Sequence, residues 1–118
     1  MSRVTMARAL YERAIDRFGR VDQALKAVEE LNELSQAICK HLQELSGDPA
    51  SEHQRRLRDH VAEEMADVVI MVDQLAIIYD NHEQVREWKA RKQARLRNRL
   101  DALDRADKMR AEARNHDT

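Results

Sequence analysis

The sequence predicts an all-α protein. Three observations carry this: few turn-forming residues, many helix formers, and apolar residues that recur at helical spacing. Its 118 residues include two glycines and one proline, with charged residues at 36% and aromatics at 3%. Ala, Leu, Glu, Arg and Gln are plentiful, which favours helix over sheet. A β or α/β fold needs many more turns than Gly19, Gly47 and Pro49 can make. A chain of this length is expected to form one domain over 1–118, with a modest core that gains from pairing with a second copy.

Four helices are expected. Thr5 is a candidate N-cap for the first, over 5–18, which Gly19 stops. The second spans 21–45, where Val21, Leu25, Val28, Leu31, Ile38, Leu42 and Leu45 form a stripe with seven-residue spacing, interrupted by Ser35. The stretch Ser46-Gly47-Asp48-Pro49-Ala50-Ser51 reads as a loop, because Gly ends a helix and Pro resists continuing one. The third helix is expected over 51–80 and the fourth over 83–110, with 111–118 a frayed tail. In the fourth, Val85, Trp88, Leu96, Leu100 and Leu103 make a thin stripe among many charges, as on the outside of a bundle or against a partner. The expected architecture is a four-helix bundle assembled as a homodimer or homotetramer.

A formal net charge of −1 calls for neither nucleic acid nor a membrane surface. The basic run from Arg86 to Arg99 holds a single aromatic, Trp88, and gives way to acidic residues from Asp101, so it reads as a solvated helix face. Cys39 stands alone, which rules out an intrachain disulfide and suits a reducing compartment. It is expected to be a small buried residue. Met1-Ser2-Arg3-Val4-Thr5 lacks the apolar core of a signal peptide, and the apolar run Val68 to Val72 is too short to cross a bilayer. A cytoplasmic protein is expected.

Carboxylates in the second and third helices are the anomaly. Glu30 and Glu33 are three residues apart and share a face, as do Glu64 and Asp67. Lys40 follows Glu33 by two turns on the same stripe. Glu64 lies on the apolar stripe of Leu57, Val61, Val68, Val72, Leu75 and Tyr79, beside a run apolar all round and so expected to be buried. An unpaired carboxylate there costs on the order of several kcal/mol, so it must be paired, protonated or bound to metal. If the two helices are antiparallel neighbours, four carboxylates can face each other in a hard, all-oxygen site suited to Mg²⁺ or Mn²⁺. The Glu-x-x-His repeat of di-iron bundles is absent. The plain alternative is a set of solvated glutamates at ordinary helical spacing.

These residues resemble the MazG-like all-alpha nucleoside triphosphate pyrophosphatases, which carry ExxE on one helix and ExxD on the next. Here the motifs read Glu29-Glu30-Leu31-Asn32-Glu33-Leu34 and Glu63-Glu64-Met65-Ala66-Asp67-Val68. The likeness continues over Tyr11 to Ile15, Gln36 to Lys40, Met71 to Leu75 and Glu87-Trp88-Lys89, as in a phage and bacterial subgroup. The resemblance implies that Glu30, Glu33, Glu64 and Asp67 bind Mg²⁺. It also implies cleavage of the α–β phosphate bond of a nucleoside triphosphate, giving a monophosphate and pyrophosphate. A divalent ion neutralises triphosphate charge and activates water, and a carboxylate not fully committed to the ion can serve as general base. The residues single out none of the four, and Glu33 is the expected base. A lysine on the last helix often completes the phosphate site in this family, which makes Lys89 and Lys92 substrate-binding candidates beside Lys40. The segment from Ser46 to Arg58 is insertion-like and lengthens the gap between the motifs, so the resemblance bears on the chemistry more than on the nucleotide pocket.

Other residues have narrower expectations. Trp88 is a packing anchor or dimer contact, or a platform for a base. His60, one turn before Glu64, is expected to pair with it. Two rival functions stand beside the enzyme: a non-catalytic helical adaptor, and a nucleic-acid-binding protein using the basic fourth helix.

Overall fold

Ser2 starts the first helix, and glycine geometry ends it. The Ser2 hydroxyl accepts from the Thr5 backbone N–H at 3.2 Å, capping α1 (Arg3–Phe18). The cap therefore precedes the expected Thr5, whose own hydroxyl lies 2.8 Å from that of Ser2. Gly19 has φ +94°, a conformation that side chains with a Cβ rarely adopt. Its N–H closes α1 on the Ile15 carbonyl at 2.8 Å, and its carbonyl accepts from Gln23 to open α2 (Arg20–Gln43).

The structure is a computed structural model that describes residues 2–117. Among these residues there are four helices and no strand. Asp48 accepts from the Ala50 N–H in the loop after α2, and Ser51 caps α3 (Glu52–Ile78) by accepting from Gln54 at 3.2 Å. Glu52 then lies in the first turn of α3, where the positive end of the helix favours an acidic residue. Asp80, at φ +49°, stands between the end of α3 and the start of α4 (His82–His116). That helix continues past the expected end at Arg110, because its last turns hold neither glycine nor proline and finish on Arg114 and His116.

The chain divides after Asp80 into two compact units, the first holding α1, α2 and α3 and the second α4. In the first unit α2 and α3 run antiparallel, as three contacts show. Gln23 donates to Gln74, Gln54 donates to the Glu44 carbonyl, and Glu30 and Glu64 lie in one cluster between them. The first helix packs on both, with Ile15 buried.

The face that α2 buries is not its apolar stripe. Gln23, Ala27, Glu30 and Ala37 are buried, at helical spacing, while Leu31, Ile38 and Leu42 are 47%, 40% and 56% exposed. On α3 the buried line is Gln54, Leu57, Glu64, Met71 and Gln74. Val69, Ile70 and Val72, expected at the most buried point of the chain, are exposed, because α1 and α2 cover only one side of α3. Cys39 is likewise exposed, between the inward positions Ala37 and His41. In the second unit α4 has no buried residue. No helix among the described residues is long and apolar enough to cross a membrane.

Candidate metal centre

Small residues bring the two acidic helices together. Ala27 and Ala37 bracket Glu30 and Glu33 on α2 and are 2% and 4% exposed, buried on the face that packs against the neighbouring helices. The result is a cluster in which Glu30, Glu33 and Glu64 each offer a carboxylate oxygen, all within 4.8 Å of one another. Glu30 and Glu64 are buried and Glu33 stands at the exposed edge. Asp67, one turn beyond Glu64, is half-buried and lies outside this three-residue cluster.

Each carboxylate has a different environment. Glu30 Oε1 accepts from Lys26 Nζ at 3.1 Å, and Lys26 also reaches Glu29 at 3.6 Å. Hydrogen bonding to Glu30, helped by its charge and that of Glu29, raises the Lys26 ammonium above the ordinary lysine range. Glu64 Oε1 lies 3.9 Å from His60 Nε2, as the one-turn spacing suggests. The second oxygens of Glu30 and Glu64 are buried with no hydrogen-bond partner. Glu33 is pushed above the usual carboxylate range, first by the negative charge of Glu30, then by desolvation, hydrogen bonding with Glu30 and the charge of Glu64.

This arrangement suits a hard divalent cation. Two nearly buried carboxylates with unpaired oxygens are costly to leave uncompensated, and Lys26 satisfies only one oxygen of one of them. The donors are all oxygen, the chemistry that Mg²⁺ and Mn²⁺ prefer. A cation would also relieve the repulsion that raises Glu33 above the usual carboxylate range.

The remaining candidates separate by unit. Lys40 faces a groove between α2 and α3 that Gln36, His53, Arg56 and His60 also line. Lys89 and Lys92 belong to α4, where they line a shallow groove with Trp88 and Leu96. Trp88 is half exposed, with the Arg91 guanidinium 5.3 Å from its ring centre. Sequence reasoning missed Lys26. Its signal was present as a Lys four residues before Glu30, but that spacing is too common to mark a site without knowing that Glu30 is buried. Compared with protein-family models, curated proteins and solved structures, the chain has no significant match to any of them.

Proposed function

We propose that this protein is a Mg²⁺-dependent nucleoside triphosphate pyrophosphohydrolase, cleaving the α–β phosphate bond to give a nucleoside monophosphate and pyrophosphate. One observation carries the reading: Glu30 and Glu64, on facing helices, each bury a carboxylate oxygen without a partner, beside a third carboxylate that they push above its usual range. Glu30, Glu33 and Glu64 hold the ion in this account, with Asp67 the fourth ligand by its place one turn along α3. Mn²⁺ is a substitute of the same donor preference. The ion supplies neutralisation of phosphate charge and activation of water. The motif resemblance gives the reaction, because the acidic cluster alone fits any Mg²⁺-dependent phosphate chemistry.

The residues divide the work. Glu30 and Glu64 are the fixed ligands, held by burial, with His60 beside Glu64. Glu33, exposed and raised above the usual carboxylate range, orients the attacking water as general base. Lys40 neutralises phosphate charge, and Lys89 and Lys92 are carried as phosphate candidates on the resemblance alone. We further propose that the protein acts in the cytoplasm as a homodimer or homotetramer. The apolar stripe of α2 supports assembly. Val28, Leu31, Ile38 and Leu42 keep coiled-coil spacing and are all exposed in the single chain, while Leu45 lies beyond the end of α2 at Gln43.

The test is product analysis with Mg²⁺ and a panel of the standard ribo- and deoxynucleoside triphosphates, with Glu64→Gln alongside. Pyrophosphate and monophosphate in equal amounts, lost in the variant, are the expected result. Orthophosphate as product would overturn the bond assignment. No turnover of any substrate by the folded protein would favour the adaptor.

A further inference from the structure

A groove of about 380 Å³ opens between the C-terminal half of α2 and the start of α3. That volume lies within the range of small-ligand sites, roughly 300–1,000 Å³. Its polar lining is cationic or neutral: Lys40 and Gln36 from α2, His53, Arg56 and His60 from α3, with no carboxylate among the lining residues. These cations are weakly satisfied by the protein. Lys40 has no ion pair among the described residues, and Arg56 reaches only the exposed Glu52, at 4.0 Å. His53 lies 3.3 Å from Glu44 Oε1 at the far end of the groove. At the near end, His60 both lines the groove and contacts Glu64 of the acidic cluster, at 3.9 Å.

We infer that this groove binds the triphosphate chain of the substrate, with Arg56 and Lys40 as its principal anion contacts and His60 at its junction with the metal centre. The inference rests on the reading of the acidic cluster as the catalytic site, and it specifies where the phosphates lie. A linear polyanion fits such a lining, because an arginine fork binds phosphate oxygens in pairs while a lysine acts as a point charge. An anion ending at His60 is adjacent to the carboxylates that hold the ion, which places its phosphates in reach of that ion. The insertion-like segment over 46–58 supplies His53 and Arg56, so it builds the phosphate site instead of merely lengthening a loop.

Calorimetric titration with inorganic tripolyphosphate in EDTA tests the groove without the metal. The expected result is saturable binding by the wild type, weakened at least tenfold in Lys40→Ala/Arg56→Ala. A control that removes the same charge from α4, Arg105→Ala/Lys108→Ala, is expected to bind as wild type. Both groove side chains are exposed, so circular dichroism should show the double variant folded. No saturable binding by wild type, or a double variant within twofold of it, would overturn the inference. A nucleoside triphosphate in the same titration is expected to lose as much affinity in the double variant; failure to bind, with tripolyphosphate bound, would overturn the substrate assignment. Glu64→Gln is expected to bind tripolyphosphate in EDTA as wild type does but to lose the enhancement by Mg²⁺. If wild type shows no Mg²⁺ enhancement while the groove binds, the metal reading fails and the groove stands. If Mg²⁺ binds and tripolyphosphate does not, the groove alone fails.

Discussion

Gln23 Nε2 donates a 2.7 Å hydrogen bond to Gln74 Oε1, with both side chains buried, and this bond joins α2 to α3 two turns from Glu30. A buried amide pair is specific in a way apolar contacts are not, because a slip of either helix leaves both amides without partners. It thereby fixes the register that sets Glu30 and Glu33 against Glu64.

Removing one partner should therefore cost more than removing both. Gln23→Ala is expected to destabilise the protein by about 1–3 kcal/mol, the cost of an unsatisfied buried amide. The double replacement Gln23→Leu/Gln74→Leu should be nearly neutral. Urea unfolding of the three proteins checks this, and equal losses in the single and double variants would contradict it.

The pH dependence of the metal-free protein follows from Glu33. Its folded-state value is raised, so the stability it contributes is full below the ordinary glutamate value of 4.5 and is lost as pH rises through the folded value. In EDTA, Glu33→Gln should melt above wild type on the alkaline side of that window and approach it on the acidic side. Saturating Mg²⁺ should reverse the order above the window, because the ion favours ionised Glu33. Calorimetric scans across pH read both effects.

On the proposed reading, Lys26 competes with the cation for Glu30. The ammonium lies 3.1 Å from Glu30 Oε1, and that contact is what raises its own proton affinity. Lys26→Met should bind Mg²⁺ a few-fold more tightly than wild type, measured by titration at low ionic strength. Weaker binding in the variant would mean that Lys26 positions Glu30 for the ion.

The outward stripe of α2 gives the prediction on assembly. Leu31 and Ile38 lie one heptad apart on that stripe, and lysines there would bring like charges into a shared seam. Leu31→Lys/Ile38→Lys should lower the mass in light scattering to that of a single chain. A monomeric wild type, or a double variant of unchanged mass, would contradict the proposed seam.

How far the sequence revealed this depends on which interactions are local. Gly19 and Ser51 announce their roles in turns and caps, because those roles involve residues three or four positions away. The Ser2 cap and the end of α4 are not legible for an opposite reason: Ser2 and Thr5 are both able caps, and nothing in the last turns forces a stop. The carboxylate pairs were visible as motifs, yet the burial of Glu30 was not. It depends on Ala27 and Ala37 lying on the buried face of α2, a choice a helix stripe of larger residues does not reveal. The same choice exposes Cys39 and the run Val69, Ile70 and Val72, which composition alone would bury. Arg56 and His53 were read as part of an insertion, since only the antiparallel pairing brings them beside Lys40.

The central claim is that the facing carboxylates of α2 and α3 hold a divalent ion. Electron paramagnetic resonance of Mn²⁺ titrated into the protein measures this directly, by loss of the free-ion signal. The account predicts saturable binding by wild type, competition by Mg²⁺, and loss of at least tenfold in affinity in Glu64→Gln and in Glu30→Gln, each still folded. A wild type that leaves the Mn²⁺ signal unchanged at millimolar protein, or variants that bind as wild type does, would contradict it.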